Sequence, residues 1–328
     1  MINFNLQRTK SYQEIQKKLN SIVQRHLPES TYSESKAKRV EEALNFSWFI
    51  RLKSDVLISH GVADKNYYWM TDKETGEKYV NGLKALLVPG EWSRSRVLKS
   101  PSLTLTPDQV ISVGWPRLDE LRELQASVTL PSISEKISIL WAPTHDFVKR
   151  GVNKKSTSSY PDFEPFAEKL SKDFKVDSSL HPRNRKDKEP TLDKLLRSNV
   201  VISDFGTLVY EAWALGKPVI FPRWILGDSI ETYLPGSAEA HIFRNRIGYH
   251  PDSFEELLEL IATDLVITSD VDSFMDAYLD NYRGGSGGKK VAKTLLYLEK
   301  KYAQTLVQKA KILIIKLKNA LKGAFLNR

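Results

Sequence analysis

The 328 residues contain no cysteine. This excludes disulfides, a thiolate nucleophile and any cysteine-ligated zinc or iron–sulfur cluster, and it suits a reducing compartment. There is also no run of about eighteen apolar residues, the length a helix needs to cross a bilayer. The opening stretch, MINFNLQRTKSYQEIQKK, lacks the apolar core of a secretory signal, so a cytoplasmic location is expected. No His, Asp and Glu residues fall at metal-ligand spacing, and neither a metal nor another cofactor is expected.

Acid is scarce in one place only. Residues 289–328 hold eleven of the 49 Lys/Arg residues and a single acid, Glu299. The rest of the chain keeps 38 bases and 39 acids, so the formal net charge of +9 belongs to this tail. A nucleic-acid binder spreads basic charge over a folded face, and no nucleic-acid partner is expected here. Within the tail, Leu306, Ala310, Leu313, Leu317, Ala320, Leu321 and Ala324 recur at helical spacing, with Lys309, Lys311, Lys316, Lys318 and Lys322 largely opposite. Such a cationic amphipathic helix suits the face of an anionic membrane. The other fate open to it is to fold back on the protein with its lysines in water.

At 41% hydrophobic and 10% aromatic residues, the chain is rich enough for real cores, and its length suits two domains. Helical spacing is read over 8–25 and 33–46, the latter from SKAKRVEEAL. Short apolar strands are read at 55–59, 83–88, 110–113, 137–141, 176–180, 200–203 and 219–221, with helices at 162–172, 191–198, 254–264 and 272–278. Strands alternating with helices, twice over, predict an α/β protein of two Rossmann-like domains facing a cleft. The predicted division is 1–128 as an acceptor-side domain, 129–284 as a nucleotide-donor domain, and 285–328 as a hinge, RGGSGG at 283–288, followed by the basic tail helix.

The most informative stretch is NVVISDFGTLVYEAWALGKPVIFP, residues 199–222. It reads as a buried strand, a turn through Asp204-Phe205-Gly206, a helix that Thr207 can cap, and a second buried strand. The first-turn N–H groups of that helix have no intrahelical partners, and the helix dipole favours an anion there. A strand–turn–helix of this kind holds phosphate at the carboxyl end of a parallel sheet, with Glu211 one turn on, within reach of a sugar hydroxyl. Taken alone, it is equally an ordinary β–α–β unit.

Polar clusters mark the ends of the other strands: His60-Gly61-Val62-Ala63-Asp64-Lys65, Gly114-Trp115-Pro116-Arg117-Leu118-Asp119, Ala142-Pro143-Thr144-His145 and His181-Pro182-Arg183. In order and wording, these clusters and the 199–222 unit resemble the CDP-glycerol glycerophosphotransferase family of teichoic-acid and capsule enzymes, over residues 55–222. The 203–221 segment is also similar to UDP-GlcNAc 2-epimerases and other enzymes of glycosyltransferase-B architecture. Where the family usually has Ser-Ser or Ser-Thr after the aromatic of the turn, this chain has Gly206-Thr207, and His145-Asp146 follow Thr144.

The resemblance implies transfer of a polyol phosphate from a CDP-linked donor to a hydroxyl of a glycan or lipid-linked acceptor, with release of CMP. It implies His60 as general base and His181 as a second catalytic histidine at the diphosphate. It implies donor contacts from Lys65, Thr144, Arg183, Ser203, Asp204, Gly206, Thr207 and Glu211. A place on the inner face of the cell membrane, held there by the tail, goes with such an acceptor. A nucleotide-sugar glycosyltransferase or epimerase on the same scaffold is the alternative.

Overall fold

The computed structural model describes residues 1–127, 136–145, 156–180 and 189–303. Two wholly parallel sheets organise them. The first contains β1 (Ile2–Leu6), β2 (Tyr32–Lys36), β3 (Leu44–Ser47), β4 (Val56–Ile58), β5 (Ala85–Val88) and β6 (Val110–Ser112), in the order β2-β1-β3-β4-β5-β6. The second contains β7 (Ser138–Ala142), β8 (Lys175–Ser178), β9 (Val200–Ser203) and β10 (Val219–Ile220), in the order β10-β9-β7-β8. The architecture is the expected α/β pair.

Parallel strands covered on both faces read as continuous apolar runs, which is why ALLV and VVIS are legible as strands. Alternate residues feed different cores. Val56 and Ile58 enter a core with Phe4, Phe46 and Leu19, whereas Leu57 between them packs with Tyr68, Val80 and Leu86. In β7, Ile139 and Trp141 face Phe163, while Leu140 and Ala142 join a core that crosses the domain boundary. That shared core brings Val62, Ala63, Trp115 and Leu118 against Phe205, Val209, Tyr210 and Tyr278. Backbone bonds reinforce it: Asp280 N–H donates to Pro89 O at 2.9 Å, and the Tyr278 hydroxyl donates to Val62 O at 2.7 Å.

One expectation needs correction. Residues 33–46 are not a helix but β2, a loop and β3. The Asn45 amide organises that loop, accepting from Val40 N–H at 2.8 Å and donating to Val40 O at 2.9 Å and Ala43 O at 3.0 Å. Tertiary bonding here overrides helix propensity. The 283–288 stretch, expected as a hinge, is bonded to the helix Arg117–Ser127. Asp119 accepts from Ser286 Oγ at 2.6 Å, Gly287 N–H at 3.0 Å and Gly288 N–H at 2.9 Å. Arg122 donates to Gly285 O and Tyr282 O at 2.9 and 2.6 Å.

A helix over 287–303 follows that stretch and packs on the first sheet rather than standing away from it. Val291, Ala292, Leu295 and Leu298 are each at most 2% exposed, within the core of Phe4 and Phe46. Each buried Val or Leu contributes about 1.5–3 kcal/mol, so this part of the predicted tail is integral to the N-terminal sheet. Residues 304–328, the main basic amphipathic stretch, lie outside the described residues, as does the expected domain crossing at 128–135.

Candidate active site

A cleft of about 320 Å³ opens between the sheets, lined by Ile15, Lys18, His60, Trp115, Arg117, Thr207 and Glu211 among others. His60 reaches it from the end of β4, and Thr207 and Glu211 from the helix Thr207–Ala214 that follows β9. The two halves nearly touch. A Cβ built on Gly61 would stand 2.6 Å from Thr207 Oγ1, so only glycine allows this approach.

The His60 backbone N–H donates to Trp48 O at 3.0 Å. Its ring stacks on Phe49 at 4.3 Å and meets the edge of Tyr67 at 5.7 Å. Burial, and then the nearby Lys65 charge, lower the imidazole to about 4, against a bond to the Trp48 backbone that raises it. The ring is therefore neutral at neutral pH and available to take a proton, and its buried Nδ1 has no hydrogen-bond partner among the described residues.

Helix 207–214 begins differently from the expectation. Gly206 occupies the N-cap position with φ of 110°, a conformation that a side chain rarely adopts, and no side chain caps the helix. Thr207 is instead its first residue, with its hydroxyl toward Gly61. The first-turn N–H groups thus lack the expected capping oxygen. A cation lies at the same place: a Cβ on Gly206 would be 3.2 Å from Lys65 Nζ, which sits 5.0 Å over the Phe205 ring. Burial lowers the Lys65 pKa, opposed by Glu239.

The remaining predicted residues divide. Glu211 faces the cleft, half-buried, and accepts from Arg117 Nε at 3.2 Å. Burial raises its pKa and the Arg117 charge opposes the rise. Arg117 also pairs with Glu120. Ser203 and Asp204 are fully buried and do not line the cleft. The Ser203 hydroxyl donates to Ala142 O at 2.8 Å, and Asp204 accepts from Thr144 N–H at 2.9 Å. Both tie β9 to the end of β7. Burial raises Asp204 to about 6, with bonds from Ser159 and Thr144 pulling the other way. Thr144 is half-buried at that same turn. His181 and Arg183 lie outside the described residues.

Sequence reasoning missed a network behind Lys65. Glu239, in the first turn of the helix Ala238–Arg244, accepts from Asp64 N–H at 3.0 Å, Lys65 N–H at 2.9 Å and the Tyr210 hydroxyl at 3.2 Å. Asp64 in return accepts from Ala238 N–H at 3.1 Å and from Arg96, whose guanidinium lies 3.8 Å over the Trp69 ring. Burial, then the Glu239 charge, push Asp64 up to about 7, with Arg96 opposing. Nothing local in the sequence marks Glu239 beyond an acid near a helix start, because its partners lie about 174 residues away.

No family model matches the chain. In sequence it is similar to the teichoic acid ribitol-phosphate polymerase TarK of Staphylococcus aureus (strain NCTC 8325 / PS 47), 26% identical over 227 residues, 57% of this chain. The matched region spans 40% of that longer relative. In structure it resembles the wall teichoic acid polymerase TagF, with a TM-score of 0.59 and 16% identity over 92% of this chain and 90% of that one. It also resembles a UDP-GlcNAc 2-epimerase from Neisseria meningitidis bound to UDP-GlcNAc, with a TM-score of 0.52 and 14% identity over 90% of this chain and 100% of the other. The chain is thus similar in sequence to TarK, and it shares with TagF and that epimerase a fold of two parallel-sheet α/β domains of glycosyltransferase-B-like architecture.

Proposed function

We propose that the chain transfers a polyol phosphate, resembling glycerol phosphate, from a CDP-activated donor to a hydroxyl of a cell-surface glycan or lipid-linked acceptor, releasing CMP. The observation that carries this reading is one cleft with a neutral imidazole, His60, on one wall and Thr207 and Glu211 of an uncapped helix on the other, with Lys65, from the same turn as His60, reaching that helix start at Gly206. The relatives act on such chemistry by name, and a variant of TagF has been soaked with CDPG.

In this reading the donor diphosphate lies at the N-terminus of helix 207–214, where N–H groups and the Lys65 ammonium meet its oxygens. His181 and Arg183 join it from the HPR motif. Glu211 takes ribose hydroxyls in exchange for Arg117. The acceptor hydroxyl gives its proton to His60 as its oxygen bonds to the β-phosphorus. The bond from that phosphorus to the bridging oxygen breaks, and the electron pair leaves with CMP, its charge met by the cations and the helix dipole. The basic segment beyond residue 303 holds the chain at the anionic inner face of the membrane, where a lipid-linked acceptor sits. Among the described residues no helix is long and apolar enough to cross a membrane.

A thermal-shift panel of CDP-glycerol, CDP-ribitol, UDP-GlcNAc and CMP tests the donor, because a ligand of the native state raises Tm by linkage. A shift with the CDP-polyols, followed by CMP release on adding a glycan acceptor, is expected. A shift with UDP-GlcNAc alone overturns the reading in favour of a nucleotide-sugar enzyme.

A further inference from the structure

Lys65 and Asn66 have φ values of 45° and 54°, consecutive left-handed residues that both carry side chains. A Cβ disfavours this conformation, so it persists only where surrounding contacts impose it. The contacts come from both domains. Glu239 Oε1 takes the Asp64 N–H and Oε2 the Lys65 N–H, so one carboxylate spans the turn. Arg96 adds a bond to the Asn66 side chain and another to Asp64.

The same Glu239 Oε1 accepts from the hydroxyl of Tyr210, a fully buried residue of helix 207–214. One carboxylate therefore holds both the turn that carries Lys65 and the helix whose start Lys65 faces. We propose that Glu239 is a positioning residue that sets the Lys65 ammonium against the N-terminus of helix 207–214 and so assembles a phosphate site from two domains, a role that rests on the donor reading above. A carboxylate serving only as packing in the seam would need neither bond to the turn N–H groups.

A double-mutant cycle on CDP affinity, read by calorimetry, tests this. Lys65→Ala weakens CDP binding by about thirtyfold and Glu239→Gln by about tenfold, the scale of lost charge-assisted bonds. In the Lys65→Ala background, Glu239→Gln changes affinity by less than about twofold, because the group it positions is gone. Effects that multiply overturn the proposal, as does a Glu239→Gln protein with lowered Tm and unchanged CDP affinity. Should Glu239→Gln fail to fold, Tyr210→Phe removes one bond to the same carboxylate, and the cycle is run with it on the same criterion. A wild type that binds inorganic pyrophosphate but not CDP sinks the donor reading alone, and the cycle read with pyrophosphate then upholds or overturns the positioning role. Binding of neither overturns both.

Discussion

Gly61 and Thr207 face each other across the cleft at a separation that leaves no room for one methyl group: a Cβ on Gly61 would come within 2.6 Å of the Thr207 hydroxyl. The residue after the proposed base thus meets the first residue of helix 207–214. Gly61→Ala is expected to turn the Thr207 hydroxyl away or part the walls, weakening CDP binding by about tenfold with stability changed by less than about 1 kcal/mol. Adding Thr207→Ala to Gly61→Ala relieves the clash, and calorimetry on the pair checks it. Unchanged affinity in Gly61→Ala shows that the contact is slack.

His60→Ala is expected to lower kcat by at least about a hundredfold, the scale of a lost general base, with CDP affinity held within a few-fold. CMP release measured at saturating donor separates the two quantities. Turnover near that of the wild type in folded protein removes His60 from the mechanism.

Arg117 and Glu211 join the two domains through a largely buried ion pair. Arg117→Ala leaves the Glu211 carboxylate without its cation and is expected to cost about 3 kcal/mol in urea unfolding. Glu211→Gln in the same chain should restore part of that, because the orphaned charge is gone. Equal stability of the single and double variants would show that Glu211 is already neutral or solvated.

His250 stacks on Phe221 at 4.6 Å, and burial is the main cause that lowers its imidazole to about 4. Its folded value lies below the unfolded one, so its contribution is complete above about pH 6.5 and is lost as pH falls toward 4. Between pH 7.5 and 5 the wild type should lose about 2 kcal/mol relative to His250→Phe, which cannot titrate. Comparing the pair cancels the opposite slopes of Asp64 and Asp204, whose folded values are raised to about 7 and about 6. Parallel pH profiles for the two proteins would place His250 in solvent.

The packed helix and the basic stretch beyond it carry separate predictions. Truncation after residue 303 is expected to leave Tm unchanged but abolish sedimentation with anionic vesicles, and the binding lost should be strongly salt-sensitive. Truncation after 286 removes Val291, Ala292, Leu295 and Leu298 from their core and should abolish folding. Vesicle binding that survives loss of 304–328 would move the membrane contact elsewhere.

The second sheet was readable because β7, β9 and β10 are buried, largely apolar runs and the turn after β9 carries a glycine where φ is 110°. The first sheet was harder to read. Its β1 and β3 bury Asn3, Asn5 and Asn45 within the strands, and β2 is polar, so neither alternation nor a continuous apolar run stands out. Motif order singled out His60, Thr207 and Glu211, which line one cleft. It could not foresee that Ser203 and Asp204 turn inward to hold backbone near residues 142–144, about sixty positions away, nor that Glu239 stands behind Lys65, a relation that exists only once the domains meet. The RGGSGG stretch has the composition of a linker, and its bonds to the distant side chains of Asp119 and Arg122 are not legible in the sequence.

The return of residues 291–298 to the first sheet inverts the order in which the halves of this protein mature. On a ribosome, strands β1–β6 emerge first, yet the core of Phe4, Phe46 and Leu19 stays incomplete until the helix beyond Gly288 is made. The second sheet has all its strands between Ser138 and Ile220 and completes its core earlier in synthesis than the first. The domain translated first is thus finished last, and its core lacks one wall through most of synthesis.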